Sequence, residues 1–403
     1  MELLPKTLGI RPRLAIEIRP EGVVAARSED AQALMSAVAH GKFAQGTLAP
    51  ALKPGNIVDR PAVVAAVRKV LEAVVLKERA ATVVVPDAAV RVLLLDFDAL
   101  PARLGDALPV VRFRLKKLLP FDADDAVVSY QVMSSTRSLV RVLAVAIPRD
   151  VLAEYEGVVR EAGFEPGAVL PSTLAAISGV EEMEAAALMV NAGETSVTTA
   201  IVQGTVLLLH RTVDLAAEGM EELIQAAEVN TSALPALEVP PELLAMPIVD
   251  RESTAGEWAM QEPLNGYGVI DDDRIAAEAH MQSERVTEDR ENETPREHML
   301  PVPPDAAEVE EQRLTAAARE VTQAVSVATA YFEDTLESVP GVVLSAGTMG
   351  AETLGSLLRE AGFGEGGEVK VREAVEKVML ADVASSTRVP LSWMAGVRGA
   401  LRS

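Results

Sequence analysis

The chain lacks cysteine, is poor in aromatic residues and has no long apolar run. Its 403 residues include no cysteine, which excludes disulfides, thiolate metal sites and a cysteine nucleophile. Aromatic residues make up only 3%, so the core must be built from alanine, valine and leucine. No apolar run reaches the roughly 18 residues that span a bilayer, and no apolar stretch follows the basic residues near the start. We therefore expect a cytoplasmic protein without a membrane span or signal peptide.

Basic residues are also scarce. The chain carries 37 Lys and Arg against 60 Asp and Glu, for a formal net charge of −23. Because nucleic acids and anionic lipids both attract basic residues, we expect neither nucleic-acid binding nor direct electrostatic docking on a membrane. Residues 241–312 hold 19 acidic and 5 basic residues and show no sustained apolar period. They are predicted to be disordered and solvated, with an acidic interaction arm as the alternative.

Strands and helices are predicted to alternate through two halves of the chain, each of which opens with a hairpin. The first hairpin is RLAIEIRPEGVVAARSE at 13–29, with a Pro-Glu-Gly turn at 20–22. The second is LMVNAGETSVTTAIVQG at 188–204, which reads as a strand, a short polar turn and a strand. Two such halves indicate a two-lobed α/β protein.

Several helices follow from local signals. Asp59 as N-cap and Pro61 in the first turn predict a helix over 59–78. Residues 102–120 are predicted to be helical, with Pro109 indicating two helices or a kink. Two more helices are predicted in the second half of the chain, at 217–230 and 317–336.

Four stretches in the same order resemble the type IV pilus assembly protein PilM. In chain order they are PGNIVDRPAVVAAVRKVL (54–71), RFRLKKLLPFDADDAVVSYQVM (112–133), VLAEYEGVVREAGFEPGAVLPSTLAAI (151–177) and VVLSAGTMGAETLGSLL (342–358). The stretch at 112–133 is the most specific, because it combines a helix, a Pro-Phe turn, acidic residues and a strand ending near Tyr-Gln-Val. The PilM family belongs to the actin-like ATPase superfamily, together with the cell-division protein FtsA.

The resemblance implies an α/β fold of two actin-like lobes, with a small α/β subdomain inserted in the first lobe and the long disordered acidic insertion in the second. The implied boundaries are an extended tail at 1–12, the first lobe at 13–83, the inserted subdomain at 84–165, a return to the first lobe at 166–182, the second lobe at 183–240, the acidic insertion at 241–312 and the second lobe again at 313–403.

The first phosphate loop departs from the family pattern. PilM-like chains have Asp-Ile-Gly-Ser-x-Ser-Val-Lys, whereas this chain has EIRPEGVV at 17–24. Glu17 replaces the aspartate, Arg19 replaces a glycine that lets the backbone approach phosphate, Pro20 lacks an N–H, and Val24 replaces the lysine. We interpret Arg19 as a surface residue on a turn that has lost its ligand; the alternative is a new phosphate ligand.

The other nucleotide motifs are less altered. In the second loop Asn191 stands where the family has aspartate, while Gly193, Thr195 and Ser196 remain. In the adenosine loop, Ala346-Gly347 stands where Gly-Gly is usual, and Gly350 follows. The resemblance therefore implies a remnant nucleotide site formed by Glu17, Asn191, Gly193, Thr195, Ser196, Gly347 and Gly350. We predict no catalytic residue, no metal site, no required cofactor and at most weak binding of ATP or ADP.

The resemblance also implies a partner. PilM-like proteins bind the short cytoplasmic tail of the inner-membrane protein PilN, and we expect the corresponding groove near Leu118, Leu119, Pro120 and Phe121. The protein would reach the inner membrane only through such partners, and a homo-oligomer or ring is possible. The final segment, PLSWMAGVRGALRS, is predicted to be the closing core helix of the second lobe, with an amphipathic membrane anchor as the alternative.

Together these features predict a PilM-like scaffold of type IV pilus assembly that is a pseudo-ATPase. The first alternative is an active actin-fold ATPase with nucleotide-gated assembly. The second is an FtsA-like division adaptor or a type II secretion adaptor, both of which share the fold.

The acidic segment makes a prediction for proteolysis. Because a solvated chain fits a protease site easily, trypsin is expected to cut first at Arg274, Arg285 or Arg290 and to leave two associated fragments. Mass spectrometry of a time course identifies the first cuts. Initial cleavage elsewhere, with 241–312 protected, would contradict the prediction.

Overall fold

Three β-sheets organise the part of the chain that the structure describes. The computed structural model describes residues 12–29, 34–180, 185–215, 306–363, 370–375 and 389–402, and the statements below refer to these residues. The helix predicted at 217–230 and residues 241–305 of the predicted acidic insertion lie outside them.

The first sheet contains the first predicted hairpin. Its strand order is β3-β2-β1-β4-β8. The strands are β1 (Leu14–Arg19), β2 (Gly22–Ser28), β3 (Met35–Lys42), β4 (Ala80–Val85) and β8 (Glu165–Pro171). Strands β1, β2 and β3 are antiparallel, whereas β4 runs parallel to both β1 and β8. The carboxyl ends of β1, β4 and β8 therefore lie at one edge.

The second sheet repeats this arrangement with the second predicted hairpin. Its order is β11-β10-β9-β12-β13, formed by β9 (Ala187–Ala192), β10 (Ser196–Gln203), β11 (Val206–Asp214), β12 (Val342–Gly347) and β13 (Lys370–Glu373). The first three strands are antiparallel, and β12 is parallel to both β9 and β13. The repeated topology is that of a two-lobed actin-like fold.

A small third sheet lies in the chain between β4 and β8. It has the order β5-β7-β6, with β5 (Arg91–Phe97), β6 (Ala126–Ser135) and β7 (Val140–Pro148), all antiparallel. Helix α2 (Leu104–Leu115) buries Ala107, Val111 and Leu115, and the last two form a separate core with this sheet. The helix is continuous through Pro109, so the prediction of two helices is wrong. Pro109 lies inside the helix and removes one backbone hydrogen bond without ending it, because burial of Val111 and Leu115 in the core of the third sheet holds the helix in place.

The remaining helices cover the two large sheets. They are α1 (Arg60–Val74), α3 (Arg149–Glu161), α4 (Ser172–Gly179), α5 (Ala306–Leu336), α6 (Ala351–Glu360) and α7 (Ala395–Leu401). Helix α1 confirms its prediction, because Asp59 accepts the amide hydrogen of Ala62 at 3.0 Å and a valine-rich face is buried. Helix α5 begins at Ala306, earlier than the predicted 317. Its opening sequence AAEVEEQ is rich in the helix formers alanine and glutamate, and acidic residues favour a helix N-terminus.

The C-terminal segment belongs to the core, as predicted, but it packs on the first lobe. Helix α7 lies mainly against α4 and strands β1, β2 and β4, and Trp393 is 1% exposed with its ring 5.8 Å from that of His40 in β3. The assignment to the second lobe is therefore corrected. The physical reason is close helix packing: Gly399 of α7 lies against Ala175 and Gly179 of α4. No helix in the described ranges is long and apolar enough to cross a membrane.

Two helical glycines test this packing. A Cβ at Gly399 would overlap the carbonyl oxygen of Ala175, whereas a Cβ at Gly105 in α2 has no neighbour within 4 Å. We expect Gly399→Ala to lower the free energy of unfolding by about 1–3 kcal/mol, and Gly105→Ala to leave it unchanged or raise it by up to about 1 kcal/mol. Urea denaturation measures both. Equal effects of the two substitutions would contradict the packing described for α7.

Candidate functional site

The cleft between the two large sheets lies where several strands end. Strand β1 ends at Arg19, and Asp87 and Ser172 follow the ends of β4 and β8. From the second sheet, β9 and β12 end at Ala192 and Gly347. Ligands of open α/β sheets bind outside such carboxyl ends. The cavity here is about 30 Å³, room for one or two waters, and is lined by Arg19, Pro20, Glu21, Pro86, Asp87, Ser172, Asn191, Gly193, Glu194, Thr195, Ser196, Thr198, Gly347 and Thr348.

A buried ion pair lies at the end of β1, in the stretch that was compared with the family's first phosphate loop. Arg19 Nη2 lies 2.6 Å from Glu17 Oε2, and Ser172 Oγ donates to Glu17 Oε1 at 2.6 Å. Burial alone would lower the pKa of Arg19, but the carboxylates of Glu17, Glu21 and Asp87 outweigh it and hold the pKa above its ordinary value. Arg19 is only 5% exposed, so its interpretation as a surface residue is wrong. The adjacent carboxylates provide the reason, since they stabilise the guanidinium away from water.

Asn191 is the centre of a hydrogen-bond network at the base of the cleft. The two hydrogens of its Nδ2 are shared among three acceptors: Asp87 Oδ2 at 3.2 Å, Ser172 Oγ at 3.0 Å and Thr173 Oγ1 at 2.9 Å. A Cβ on Gly347 would approach Asn191 Oδ1 to 2.7 Å, so the glycine lets the two strands come together. Gly347 also has φ 88°, a conformation that favours glycine. Asn191 thus ties the second sheet to residues of the first.

Asp87 is a site residue that the sequence analysis missed. It is 4% exposed and accepts hydrogen bonds from the amide of Thr173 (3.1 Å to Oδ2) and from Thr173 Oγ1 (2.6 Å). His210 Nε2 of β11 lies 3.7 Å from its Oδ1. The available signal was the sequence VVVPD, because a carboxylate directly after a buried parallel strand lies at the edge where ligands bind.

Glu21 was also missed, and it reaches across the cleft. It lies in the two-residue turn between β1 and β2, with Pro20. Its Oε1 accepts hydrogen bonds from the amide of Glu194, in the turn between β9 and β10, and from Thr348 Oγ1 at 3.2 Å, just after β12. One carboxylate therefore joins three loops.

The remaining predicted residues have distinct positions. Gly193 and Thr195 lie in the β9–β10 turn, and Ser196 is the first residue of β10. A hydrogen bond from the Gly193 amide to the Ser196 carbonyl closes the turn at 3.0 Å. All three residues line the cleft with Asn191 and Gly347. Gly350, in contrast, caps α6 with φ 76° and lies against Glu373 instead of lining the cavity.

The predicted partner-binding residues lie away from the cleft, on the third sheet's subdomain. Leu119 and Phe121 are partly buried against its core. Leu118 is 48% exposed, and Pro120 is also exposed.

The groups in the cleft do not fit a magnesium-bound phosphate. Magnesium prefers hard oxygen ligands and usually one or two carboxylates. Here the amide nitrogen of Asn191, not an anionic oxygen, faces Asp87, and the Glu17 carboxylate is already paired with Arg19. The amide of Glu194, which a phosphate could use, is taken by Glu21. Among the described residues, no group of three or more histidine or acidic side chains could hold a metal ion.

Comparison with known proteins relates this architecture to solved structures. No protein-family model and no curated protein matches the chain. A chain of the PilM–PilN type IV pilus biogenesis complex is similar in structure, with a TM-score of 0.58 at 16% identity, covering 97% of this chain and 98% of that one.

Two more distant structures are an ethanolamine utilization protein EutJ from Carboxydothermus hydrogenoformans (TM-score 0.40, 9% identity, 98% and 92% coverage) and the cytoplasmic domain of EpsL from the type II secretion system of Vibrio cholerae (0.33, 14%, 56% and 77%). Both likenesses are too weak to support an argument. The predicted actin-like fold and the resemblance to PilM are confirmed at the level of the fold.

The Asn191 network predicts the outcome of exchanging its polar groups. Asn191→Asp places a second carboxylate beside Asp87 and removes both donor hydrogens of the amide, so we expect the free energy of unfolding to fall by about 2–4 kcal/mol. Adding Asp87→Asn reverses donor and acceptor, and the double variant should recover at least half of the loss. Urea denaturation with and without magnesium measures both. A more stable Asn191→Asp variant, or a rescue by magnesium alone, would contradict the network.

Proposed function

We propose that this chain is a PilM-like scaffold that binds the cytoplasmic N-terminal tail of an inner-membrane, PilN-like partner in type IV pilus assembly. The observation that carries the proposal is the structural likeness along nearly the whole length to a chain from the PilM–PilN complex. Lying in the cytoplasm, the protein would reach the membrane through its partner. A homo-oligomer or ring would suit a scaffold, and the net charge of −23 disfavours nucleic acid as a partner.

We further propose that the scaffold is a pseudo-ATPase with no required cofactor. Phosphoryl transfer needs a metal and preorganised donors around the phosphates, and losing one such donor costs about 3 kcal/mol of transition-state stabilisation. The Glu17–Arg19 pair and the Asn191 amide support the loss of this machinery. Any binding of ATP or ADP would be weak. An active, nucleotide-gated ATPase is disfavoured for the same reason.

The proposed tail site includes Leu118, Leu119, Pro120 and Phe121. An extended tail binds through main-chain hydrogen bonds and a few apolar pockets. Strand β6, which leads away from these residues, is an edge strand of the third sheet, so its outer main-chain groups are not used by another strand of that sheet. Leu118 adds exposed apolar surface at the end of α2. These features suit an extended, partly apolar peptide.

Leu118 allows a test that leaves the core intact. Leu118→Ala should weaken binding of a synthetic peptide of the PilN-like tail about fivefold or more, because it removes exposed apolar surface. The matched control is Leu104→Ala, which alters a 65% exposed leucine at the other end of α2 and should have no effect. Isothermal titration calorimetry measures the affinities, and circular dichroism confirms folding.

Three arms extend this experiment. Phe121→Ala should also weaken binding, with some loss of stability because Phe121 is partly buried. Magnesium ATP should leave the affinity unchanged, and phosphate release should stay at background with or without peptide. Tail peptides from a division system and from a type II secretion system are titrated in the same way, to test the two alternative adaptors that share this fold. Unchanged affinity in both folded variants would refute the site; sustained phosphate release that Asn191→Ala abolishes would refute the pseudo-ATPase.

A further inference from the structure

We propose that the carboxylate of Glu21 is a built-in anion that takes the place of a nucleotide phosphate and latches the two lobes together. Glu21 belongs to the first lobe, whereas both of its donors, the Glu194 amide and Thr348 Oγ1, belong to loops of the second. The inference deepens the proposed pseudo-ATPase function. It rests on that function in one respect, namely that no nucleotide occupies the cleft.

The geometry resembles anion recognition by a glycine-containing turn. Backbone amides in tight turns form concave sites for anions, and a glycine lets the anion approach the backbone closely. The β9–β10 turn offers the amide of Glu194, and a Cβ on the preceding Gly193 would come within 2.7 Å of Glu21 Oε1. The glycine that a phosphate would require is thus used by the side chain of Glu21.

Thr348 completes the enclosure from the other side. It is 1% exposed, and its own amide donates to the carbonyl oxygen of Ala192 at 2.9 Å. The hydroxyl is therefore held on a fixed backbone beside the β9–β10 turn. Two neutral donors on different loops converge on one charged acceptor, and hydrogen bonds to a charged group are roughly twice as strong as neutral ones.

Electrostatics favour a carboxylate that is covalently part of the chain over an incoming phosphate. Glu17, Glu21 and Asp87 all lie close enough to Arg19 to stabilise its positive charge. A phosphate entering the cleft would have to displace Glu21 and would then face the same carboxylates. The contacts of Glu21 can therefore hold the two lobes together without a nucleotide.

The absence of cysteine makes the latch accessible to distance measurements between paired spin labels. Lys69 of α1 and Ser326 of α5 are exposed and lie on different lobes, so Lys69→Cys and Ser326→Cys provide the label sites. Glu21→Ala removes the carboxylate, Glu21→Gln keeps its shape without the charge, and Glu72→Gln on the exposed face of α1 is the matched control. Hydrogen exchange of the Glu194 amide reports the contact directly.

The labelled parent and Glu72→Gln should give the same narrow distance distribution, unchanged by magnesium ATP. Glu21→Ala should broaden or lengthen it and accelerate exchange of the Glu194 amide about tenfold, with a smaller effect for Glu21→Gln. Parent-like distances and exchange in both Glu21 variants would overturn the latch. Because none of these readouts measures tail binding or phosphate release, failure of the latch is distinguishable from failure of the proposed function.

Discussion

The ion pair between Arg19 and Glu17 determines what the cleft can accommodate. Both side chains are buried, and removing either would leave the other charge unpaired at a cost of about 3–5 kcal/mol. The pair therefore constrains its surroundings. Ser172 supplies a hydroxyl to Glu17, and Gly396 of α7 leaves room for the carboxylate, since a Cβ there would overlap it. In place of a glycine open to phosphate, the first loop presents a charge that is already neutralised.

At the cleft the lobes are joined by polar groups around this pair, beside an apolar cluster to which both lobes contribute. Asn191 of the second lobe donates hydrogen bonds to a first-lobe group formed by Asp87, Ser172 and Thr173. Glu21 of the first lobe accepts hydrogen bonds from Glu194 and Thr348 of the second. Buried polar networks of this kind specify one arrangement more strictly than apolar contacts, because a partner lost is not replaced by water. This directional requirement distinguishes the cleft from the alanine- and valine-rich cores of the sheets.

Local patterns were sufficient for much of the fold and insufficient for the site. The two hairpins and α1 follow from turn residues, an N-cap and an apolar face, all within a few residues in sequence. The family resemblance correctly marked Asn191, Gly193 and Gly347 as neighbours. Arg19, Asp87 and Glu21 owe their roles to partners far away in sequence: Asn191 is 104 residues from Asp87, and Thr348 is 327 from Glu21. No local period carries that information, and the same is true of the packing of α7 on α4.

The position of α7 has a consequence for how the chain is made. Gly396 and Gly399 leave the ribosome long after Glu17 and Ala175, the first-lobe residues against which they pack. Until they emerge, the first sheet lacks the helix that covers Glu17, and the nascent lobe exposes apolar surface. Closure of so long a loop is also slow compared with local contacts. Completion of the first lobe is therefore delayed until α7 has emerged, and during this interval the nascent chain depends on its own solubility or on chaperones.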